Sequence, residues 1–243
     1  MNFKHKVNNY ITNAIGTTNG TTREAWLQAT LEELRPNSSI LDAGAGEAQF
    51  KKFCNHLKYT SQDIGIYDGS GDNKGLHTEK RDYSNLDIIS DIYDLPLKDN
   101  SFDNIMCIEV LEHLDDPLKA LKELSRVIIK DGNLILTAPF NSLTHYAPYH
   151  FHTGFTRYFY EKHLKELGFE IIEITPNGNF FQYIAQESRR LNSVVEKYSK
   201  KKLNVFEKVI VVLFLRILNK YSRFDSTSHE LLCYGYQILA KKI

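Results

Sequence analysis

A turn that contains two glycines after a short apolar run constrains the fold of this chain most. The apolar pair 40–41 leads into Asp42, and Gly44 and Gly46 follow directly. This order predicts a buried strand that ends at Asp42, a tight turn, and a helix that opens near Gln49. The glycines permit backbone conformations closed to other residues and let a ligand approach closely. A strand-to-helix turn without a ligand gives the same string, so a ligand site depends on the residues downstream.

Three further acidic residues fall at the ends of predicted strands. They are Asp63 in the segment 58–63, Asp91 in 86–92 and Glu109 in 101–111. Asp63 follows the turn by about 20 residues, where dinucleotide-binding folds place a carboxylate against ribose hydroxyls. A solvated loop acid is the alternative at that position. Glu109 stands among apolar neighbours, where an acid needs a donor or cation, and a ligand ammonium is one candidate.

The rest of the core alternates helical and strand patterns. One helix is predicted over 117–129 and stops at the segment 130–133, and a second, over 158–167, closes at Gly168. The remaining predicted strands are 134–139, 169–174 and 231–240. This alternation predicts an α/β fold, a doubly wound and mostly parallel sheet with helices on both faces. Ligands bind such sheets at the carboxyl ends of the strands, where the four acids fall.

Together these strings resemble those of the class I S-adenosylmethionine-dependent methyltransferases over roughly residues 38–175. The matching segments are 40–46, Asp63, 91–96, 101–103, 109–114 and 130–134. Ala48 stands where the family usually has a third glycine, and its side chain is small. A reductase with a nicotinamide cofactor uses a similar turn. It is disfavoured because two phosphates prefer the complete glycine pattern and because the string 109–113 has no place in it.

The resemblance implies a Rossmann-like sheet of seven strands with an antiparallel last strand, and an enzyme that uses S-adenosylmethionine. The residues it assigns to the cofactor are Asp42, Ala43, Gly44, Ala45, Gly46, Asp63, Asp91, Ile92 and Glu109. By similarity, the backbone of 43–46 meets the methionine part and Asp63 meets the ribose. Asp91 and Ile92 frame the adenine, and Glu109 lies beside the methionine end.

The segment 141–158 is a long loop crowded with histidine and aromatic side chains. Long loops of this content are usually functional, and aromatic faces with polar edges suit a sugar or nucleotide. We therefore expect it to hold a small polar acceptor, with help from the segment after the sixth strand. The residues predicted to bind the acceptor are Tyr146, Tyr149, Arg157 and Asn179.

If the acceptor is a hydroxyl, a base must remove its proton, and histidine titrates in the suitable range. The candidates for this catalytic role are His145, His150 and His152. Packing or hydrogen bonding to the substrate are the alternatives. No carboxylate recurs with ligand spacing beside them, so we expect no metal. His113 is predicted to be structural or orienting.

Three divisions of the chain are expected. They are a helical lead-in or lid over 1–37, a methyltransferase core over 38–183 and 228–243, and a helical insertion over 184–227. Within the insertion, the apolar run 206–218 is too short to span a bilayer. It predicts a buried helix or a dimer contact, and docking on a membrane surface, flanked by lysines, is the alternative.

The amino-acid composition limits the kinds of partner that are expected. Lys plus Arg and Asp plus Glu are 30 each, which disfavours nucleic acid and leaves a small-molecule acceptor as the expected partner. Three widely spaced cysteines and an N-terminus without an apolar h-region predict a cytoplasmic protein without a disulfide framework or signal peptide. The loop and insertion resemble those of enzymes in bacterial surface-glycan pathways, so we expect a sugar or sugar-nucleotide hydroxyl as acceptor. The alternatives are an N-methyltransferase and a non-catalytic S-adenosylmethionine-binding scaffold.

Overall fold

The computed structural model describes most of the chain and divides it into two compact units. The described residues are 15–67, 69, 72, 74–76 and 81–243. The larger unit comprises Ala25–Thr175 and Gly235–Ile243, and the smaller comprises Pro176–Tyr234 with the residues up to Glu24. The part of the predicted lead-in or lid that falls on 1–14 lies outside the described residues. The division into core and insertion drawn from the sequence stays a prediction.

A seven-stranded sheet forms the centre of the larger unit, in the order β3-β2-β1-β4-β5-β7-β6. The strands are β1 Ser39–Ala43, β2 Lys58–Asp63, β3 Ile88–Ile89, β4 Phe102–Ile108, β5 Ile128–Pro139, β6 Phe169–Asn177 and β7 Gly235–Lys242. Strands β3, β2, β1, β4 and β5 pair in parallel, whereas β7 is antiparallel to β5. The predicted α/β sheet with an antiparallel last strand is confirmed.

The helices begin and end where local chemistry favours it. They are α1 Asn19–Glu32, α2 Pro117–Val127, α3 Arg157–Glu166, α4 Phe180–Val194 and α5 Val205–Ser222. The Asp116 side chain accepts from the Lys119 amide and so caps α2, which has Pro117 in its first turn. Gly168, at φ 78°, follows the end of α3. Leu27 and Leu31 of α1 pack with Ile40 and Met106 in the core of the larger unit.

Four predicted elements differ in the structure. In place of a helix from Gln49, the chain forms only a 3-10 turn over Lys51–Phe53, because Ala48 is left-handed at φ 56° and β2 begins at Lys58. The third strand is reduced to Ile88–Ile89, and β5 begins at Ile128, so the segment 130–133 is strand. The last strand, predicted from residue 231, begins only at Gly235. A 3-10 turn over Ser228–Glu230 precedes it.

The smaller unit contains α4 and α5. Ile15, Ala185, Leu215 and Leu218 are buried together there. The other large apolar residues of α5 are mostly exposed, with Phe206 at 72% and Ile217 at 53%. The expectation that the run 206–218 is a buried helix is therefore wrong, while a dimer contact and membrane docking stay predictions. No helix among the described residues is both long and apolar enough to cross a membrane.

Asp42 at the end of β1 links the stability of the larger unit to pH. Its side chain is buried and accepts a 2.6 Å hydrogen bond from the Tyr59 hydroxyl. Burial raises the pKa of Asp42 from 3.8 to about 7; the Tyr59 hydrogen bond opposes this shift and Asp63 adds to it. Because the folded state holds the proton more tightly than the unfolded state, this carboxyl makes stability fall as pH rises from 3.8 to about 7.

We therefore predict that Asp42→Asn removes this loss of stability. Between pH 4 and pH 8 the variant should gain on the order of 1–4 kcal/mol in unfolding free energy relative to the wild type. Urea unfolding at a series of pH values, followed by the fluorescence of the single tryptophan, Trp26 in α1, measures this. Exposed Asp94→Asn is the matched control. Equal pH slopes for the two variants would contradict the assignment.

Candidate functional site

A cavity of about 350 Å³ opens in the larger unit at the carboxyl ends of β1, β2 and β4. Its volume lies in the range of pockets that hold small molecules. Six of the nine residues predicted for the cofactor line it, namely Gly44, Gly46, Asp63, Asp91, Ile92 and Glu109. Residues separated by 65 positions in the sequence are thus brought into one cavity by the parallel order of the strands.

The glycine turn is tied to the end of β2. The amides of Gly44 and Ala45 both donate to the Gln62 carbonyl at 2.8 Å, and the Gly46 amide donates to Asp63 Oδ2 at 2.9 Å. Gly44 adopts φ 79°, and a Cβ there would lie 2.4 Å from Val110 Cγ2. Only glycine fits this position, so the turn keeps its backbone at the cavity wall.

Asp63 holds the turn and still offers acceptor capacity to a ligand. Its Oδ1 accepts from the Gly65 amide and its Oδ2 from the Gly46 amide, each at 2.9 Å. Each carboxylate oxygen has a second lone pair. Asp63 can therefore accept from two neighbouring hydroxyls, such as those of a ribose, without releasing the turn.

Asp42, Ala43 and Ala45 do not line the cavity. All three are buried, at 2%, 0% and 7% exposure, and Asp42 is bonded to Tyr59 beneath the turn. These residues shape the turn from below, which the sequence pattern could not separate from direct contact.

A carboxylate and a guanidinium line the same cavity. Glu109 follows β4 at φ 57°, and its Oε1 accepts from Thr137 Oγ1 at 2.9 Å. Arg81 is the only Lys or Arg among the described lining residues; it donates to the Tyr146 hydroxyl and lies 4.7 Å from the centre of that ring. The pair complements a ligand that carries both an ammonium and a carboxylate. No spacing signal in the sequence pointed to Arg81.

The two residues predicted to contact the adenine, Asp91 and Ile92, lie after β3. Asp91 Oδ1 accepts from the Tyr93 amide at 2.9 Å, and the Ile92 side chain is buried against the cavity. Leu114 and Phe151 also line the cavity and add apolar surface. A flat aromatic base suits such a lining.

The predicted acceptor residues are divided by the structure. Tyr146 and Tyr149 line the cavity. Arg157 lies outside the lining and pairs with Glu161 on α3 at 2.7 Å. Asn179 belongs to the smaller unit, where its side chain caps α4 by accepting from the Gln182 amide. Binding of the acceptor by Arg157 and Asn179 stays a prediction.

None of the three predicted catalytic histidines is among the described lining residues, whereas His113 is. His145 Nδ1 lies 2.9 Å from the Leu143 carbonyl, and His150 Nε2 lies 3.1 Å from Ser142 Oγ. The Nε2 of His152 is buried. Burial, with His145 next, lowers the pKa of His113 to about 3 and also lowers that of His150. Burial opposes protonation of His145 too, but the approach of Glu112 outweighs it and raises its pKa.

Glu112, like Arg81, was not singled out from the sequence. It has no exposed surface, and its carbonyl accepts from the amides of Phe151 and His152. Neither of its carboxylate oxygens has a hydrogen-bond partner among the described residues. Burial raises the pKa of Glu112 to about 7, the approach of His145 opposes this, and Glu109 adds to it. Its place three residues after Glu109 was visible in the sequence, but only as part of a matching string.

Parts of this chain are similar in sequence to known proteins. Residues 41–136 match the model of the methyltransferase domain family. The uncharacterized methyltransferase YcgJ of Bacillus subtilis is 27% identical over 123 residues, which cover 48% of this chain and 44% of that protein. The chain covers between 21% and 44% of the length of the curated relatives that it matches.

Solved structures share the fold at low identity. A SAM-dependent methyltransferase from Archaeoglobus fulgidus superposes with a TM-score of 0.54 at 18% identity, covering 90% of this chain and 92% of that one. Phosphoethanolamine N-methyltransferase 2 of Haemonchus contortus, solved with S-adenosyl-L-methionine, gives 0.51 at 14%, covering 91% and 52%. At such identities the likeness shows the fold alone. Residues 41–136 thus match the methyltransferase domain family, and the chain shares the fold of solved methyltransferases.

Proposed function

We propose that this chain transfers a methyl group from S-adenosylmethionine to a small polar acceptor, a hydroxyl of a sugar or sugar nucleotide in surface-polysaccharide biosynthesis. The observation that carries the proposal is the single cavity in which the glycine turn, Asp63, Asp91 and Glu109 meet. The cytoplasm is the expected location. We assign the proposed activity to the domain that contains residues 41–136, which match the methyltransferase domain family.

The residues of the cavity fit the parts of the cofactor. Asp63 has the acceptor capacity for the ribose hydroxyls, and Ile92 and Asp91 are suited to the adenine. Glu109 complements the ammonium of the methionine part and Arg81 its carboxylate. When bound, S-adenosylmethionine supplies a methyl carbon already activated by its sulfonium. The protein's task is then to align the acceptor with that carbon.

The lining supports a ring-shaped polar acceptor. Six aromatic side chains line the cavity: Tyr67, Tyr83, Tyr93, Tyr146, Tyr149 and Phe151. The ring faces can pack against a sugar ring, and the tyrosine hydroxyls can form hydrogen bonds with the hydroxyls of the sugar. We propose that Tyr146 and Tyr149 contact the acceptor and that Arg157 assists. One of the loop histidines His145, His150 and His152 takes the proton of the acceptor hydroxyl. The ring centres of His145 and His150 lie 4.8 and 6.3 Å from that of His113, which lines the cavity.

Two alternatives are kept. An amine acceptor needs no base if it arrives neutral, and the Haemonchus contortus protein that shares this fold is named a phosphoethanolamine N-methyltransferase. A non-catalytic module would bind the cofactor without turnover. Turnover and the atom that receives the label separate all three functions.

We predict transfer of labelled methyl to a sugar-nucleotide hydroxyl. The full chain is incubated with S-adenosylmethionine labelled in its methyl group and with parallel panels of sugar nucleotides and small amines. Label on an oxygen of a sugar nucleotide is the expected result. Label on a nitrogen would replace the proposal by the N-methyltransferase alternative. Cofactor binding with no transfer to any member of either panel would favour the non-catalytic module.

We further predict that Asp63→Ala weakens S-adenosylmethionine binding by roughly 1–3 kcal/mol, from a dissociation constant of about 1 µM, because charge-assisted hydrogen bonds to the ribose are lost. Isothermal titration calorimetry measures the change. Asp94→Ala, exposed and outside the cavity lining, is the control. Because Asp63 also holds the turn, Asp63→Asn tests whether a neutral acceptor suffices. Unchanged affinity in Asp63→Ala would refute the ribose assignment.

A further inference from the structure

Three side chains, of which His113 lines the cavity, bring ligand atoms together. One atom from each of Glu112, His113 and His145 lies within 4.8 Å of the other two. Glu112 Oε1 is 3.7 Å from His113 Nε2 and 3.8 Å from His145 Nε2. These distances exceed those of hydrogen bonds, yet both ring nitrogens approach the same oxygen.

The buried carboxylate needs a positive partner. Glu112 is completely buried, and neither of its oxygens has a hydrogen-bond partner in the described part of the chain. An ionised carboxylate buried without such partners is strongly destabilising. A cation beside Glu112 removes this cost.

The tautomers of the two histidines point in the same direction. His113 Nδ1 lies 2.5 Å from the Tyr149 carbonyl and His145 Nδ1 lies 2.9 Å from the Leu143 carbonyl. A carbonyl only accepts, so each Nδ1 carries hydrogen, and in the neutral ring the lone pair is on Nε2. A backbone carbonyl on the far nitrogen is the usual support of a metal-binding histidine.

We propose that Glu112, His113 and His145 bind a divalent transition-metal cation. Two imidazoles and a carboxylate suit Zn²⁺, Mn²⁺, Fe²⁺ or Co²⁺. Two ligands about 2.1 Å from a tetrahedral metal are about 3.4 Å apart, so the widest pair must close by up to about 1.4 Å. Of the three proposed ligands, His113 lines the cavity. His145 is then a ligand rather than a general base, and the expectation of no metal is given up.

Metal binding does not rest on the proposed function, so it is measured directly. The full chain is freed of metal with a chelator and titrated with Co²⁺, whose visible absorption reports the ligand field, and with Zn²⁺ and Mn²⁺ by calorimetry. One equivalent should bind. Glu112→Gln and His145→Ala should weaken binding by more than the roughly 10–100-fold that loss of an outer-shell partner costs. His163→Ala, whose ring pairs with Glu166 on α3, should bind as the wild type does.

Thermal melting keeps the result interpretable. Glu112→Gln preserves the side-chain shape and should fold, and added Zn²⁺ should raise the melting temperature of the wild type but not of this variant. The proposal is overturned if the wild type binds none of the three cations at millimolar concentration. Equal metal affinity of the wild type and Glu112→Gln also overturns it.

A separate observation concerns the smaller unit. The exposed apolar side chains of α5 and the residues just after it recur at helical spacing on one face, opposite buried Leu215 and Leu218. They are Val205, Phe206, Val209, Ile210, Leu213, Phe214, Ile217, Tyr221 and Phe224. The segment 196–225 around them has eight basic and three acidic residues, whereas the whole chain has 30 of each. Arg216 and Lys220 are exposed and lie on the same side of the helix as these apolar side chains.

An apolar face beside a local excess of positive charge is the pattern of a helix that lies in a membrane interface. We infer that the exposed face of α5 docks on an anionic lipid surface. The charge excess decides between this partner and a second copy of the chain, since like-charged copies repel each other. Each basic residue near such a surface strengthens binding about fivefold, and salt screens this attraction.

Co-sedimentation with vesicles tests the inference. The full chain should bind vesicles of phosphatidylglycerol and phosphatidylcholine, bind pure phosphatidylcholine vesicles at least several-fold less, and be released by high salt. The double variant Phe206→Asp and Leu213→Asp should lose binding, whereas Ile172→Asp, exposed on β6, should retain it. Absence of vesicle binding overturns the inference. So does light scattering that shows a wild-type dimer which this double variant abolishes.

Discussion

The attachment of the glycine turn to the end of β2 supports the whole site. One carbonyl, of Gln62, receives two turn amides, and the carboxylate of Asp63 receives a third. Because β1 and β2 pair in parallel, their carboxyl ends are adjacent, and the contact fixes the turn at the edge where the cavity opens. Gly44 is required there by its backbone angle and by the nearness of Val110. The same carboxylate that orders the turn is offered to the ligand.

The acidic residues at this edge have different environments, so they differ in how readily they can bind a ligand. Asp42 is buried beneath the turn with Tyr59, Asp63 is held by two amides, and Glu109 is hydrogen-bonded to Thr137. Glu112 is buried without a hydrogen bond to either oxygen from the described residues. An edge with so much negative charge favours cationic ligand groups, including an ammonium, a sulfonium and a metal ion. Arg81 supplies the counter-charge for a ligand carboxylate.

Much of the sheet could be predicted because strand and turn chemistry are local. The bounds of β2 and the place of Asp63 follow from residues within a short window, and the antiparallel β7 followed from family resemblance. The helix expected near Gln49 does not form, because Ala48 has a left-handed backbone conformation and the segment that links it to β2 is short. Arg81 and Glu112 were missed for another reason. Their importance comes from neighbours distant in sequence, such as Tyr146 for Arg81 and His145 for Glu112, which only tertiary packing brings near.

A crystal structure of the chain with S-adenosylhomocysteine tests the central claim most directly. The account predicts the product in the cavity at the ends of β1, β2 and β4, with its ribose hydroxyls on Asp63 and its adenine beside Ile92. Its amino group should face Glu109 and its carboxylate Arg81. Density for the product away from this cavity, or a ribose that does not touch Asp63, would contradict the account.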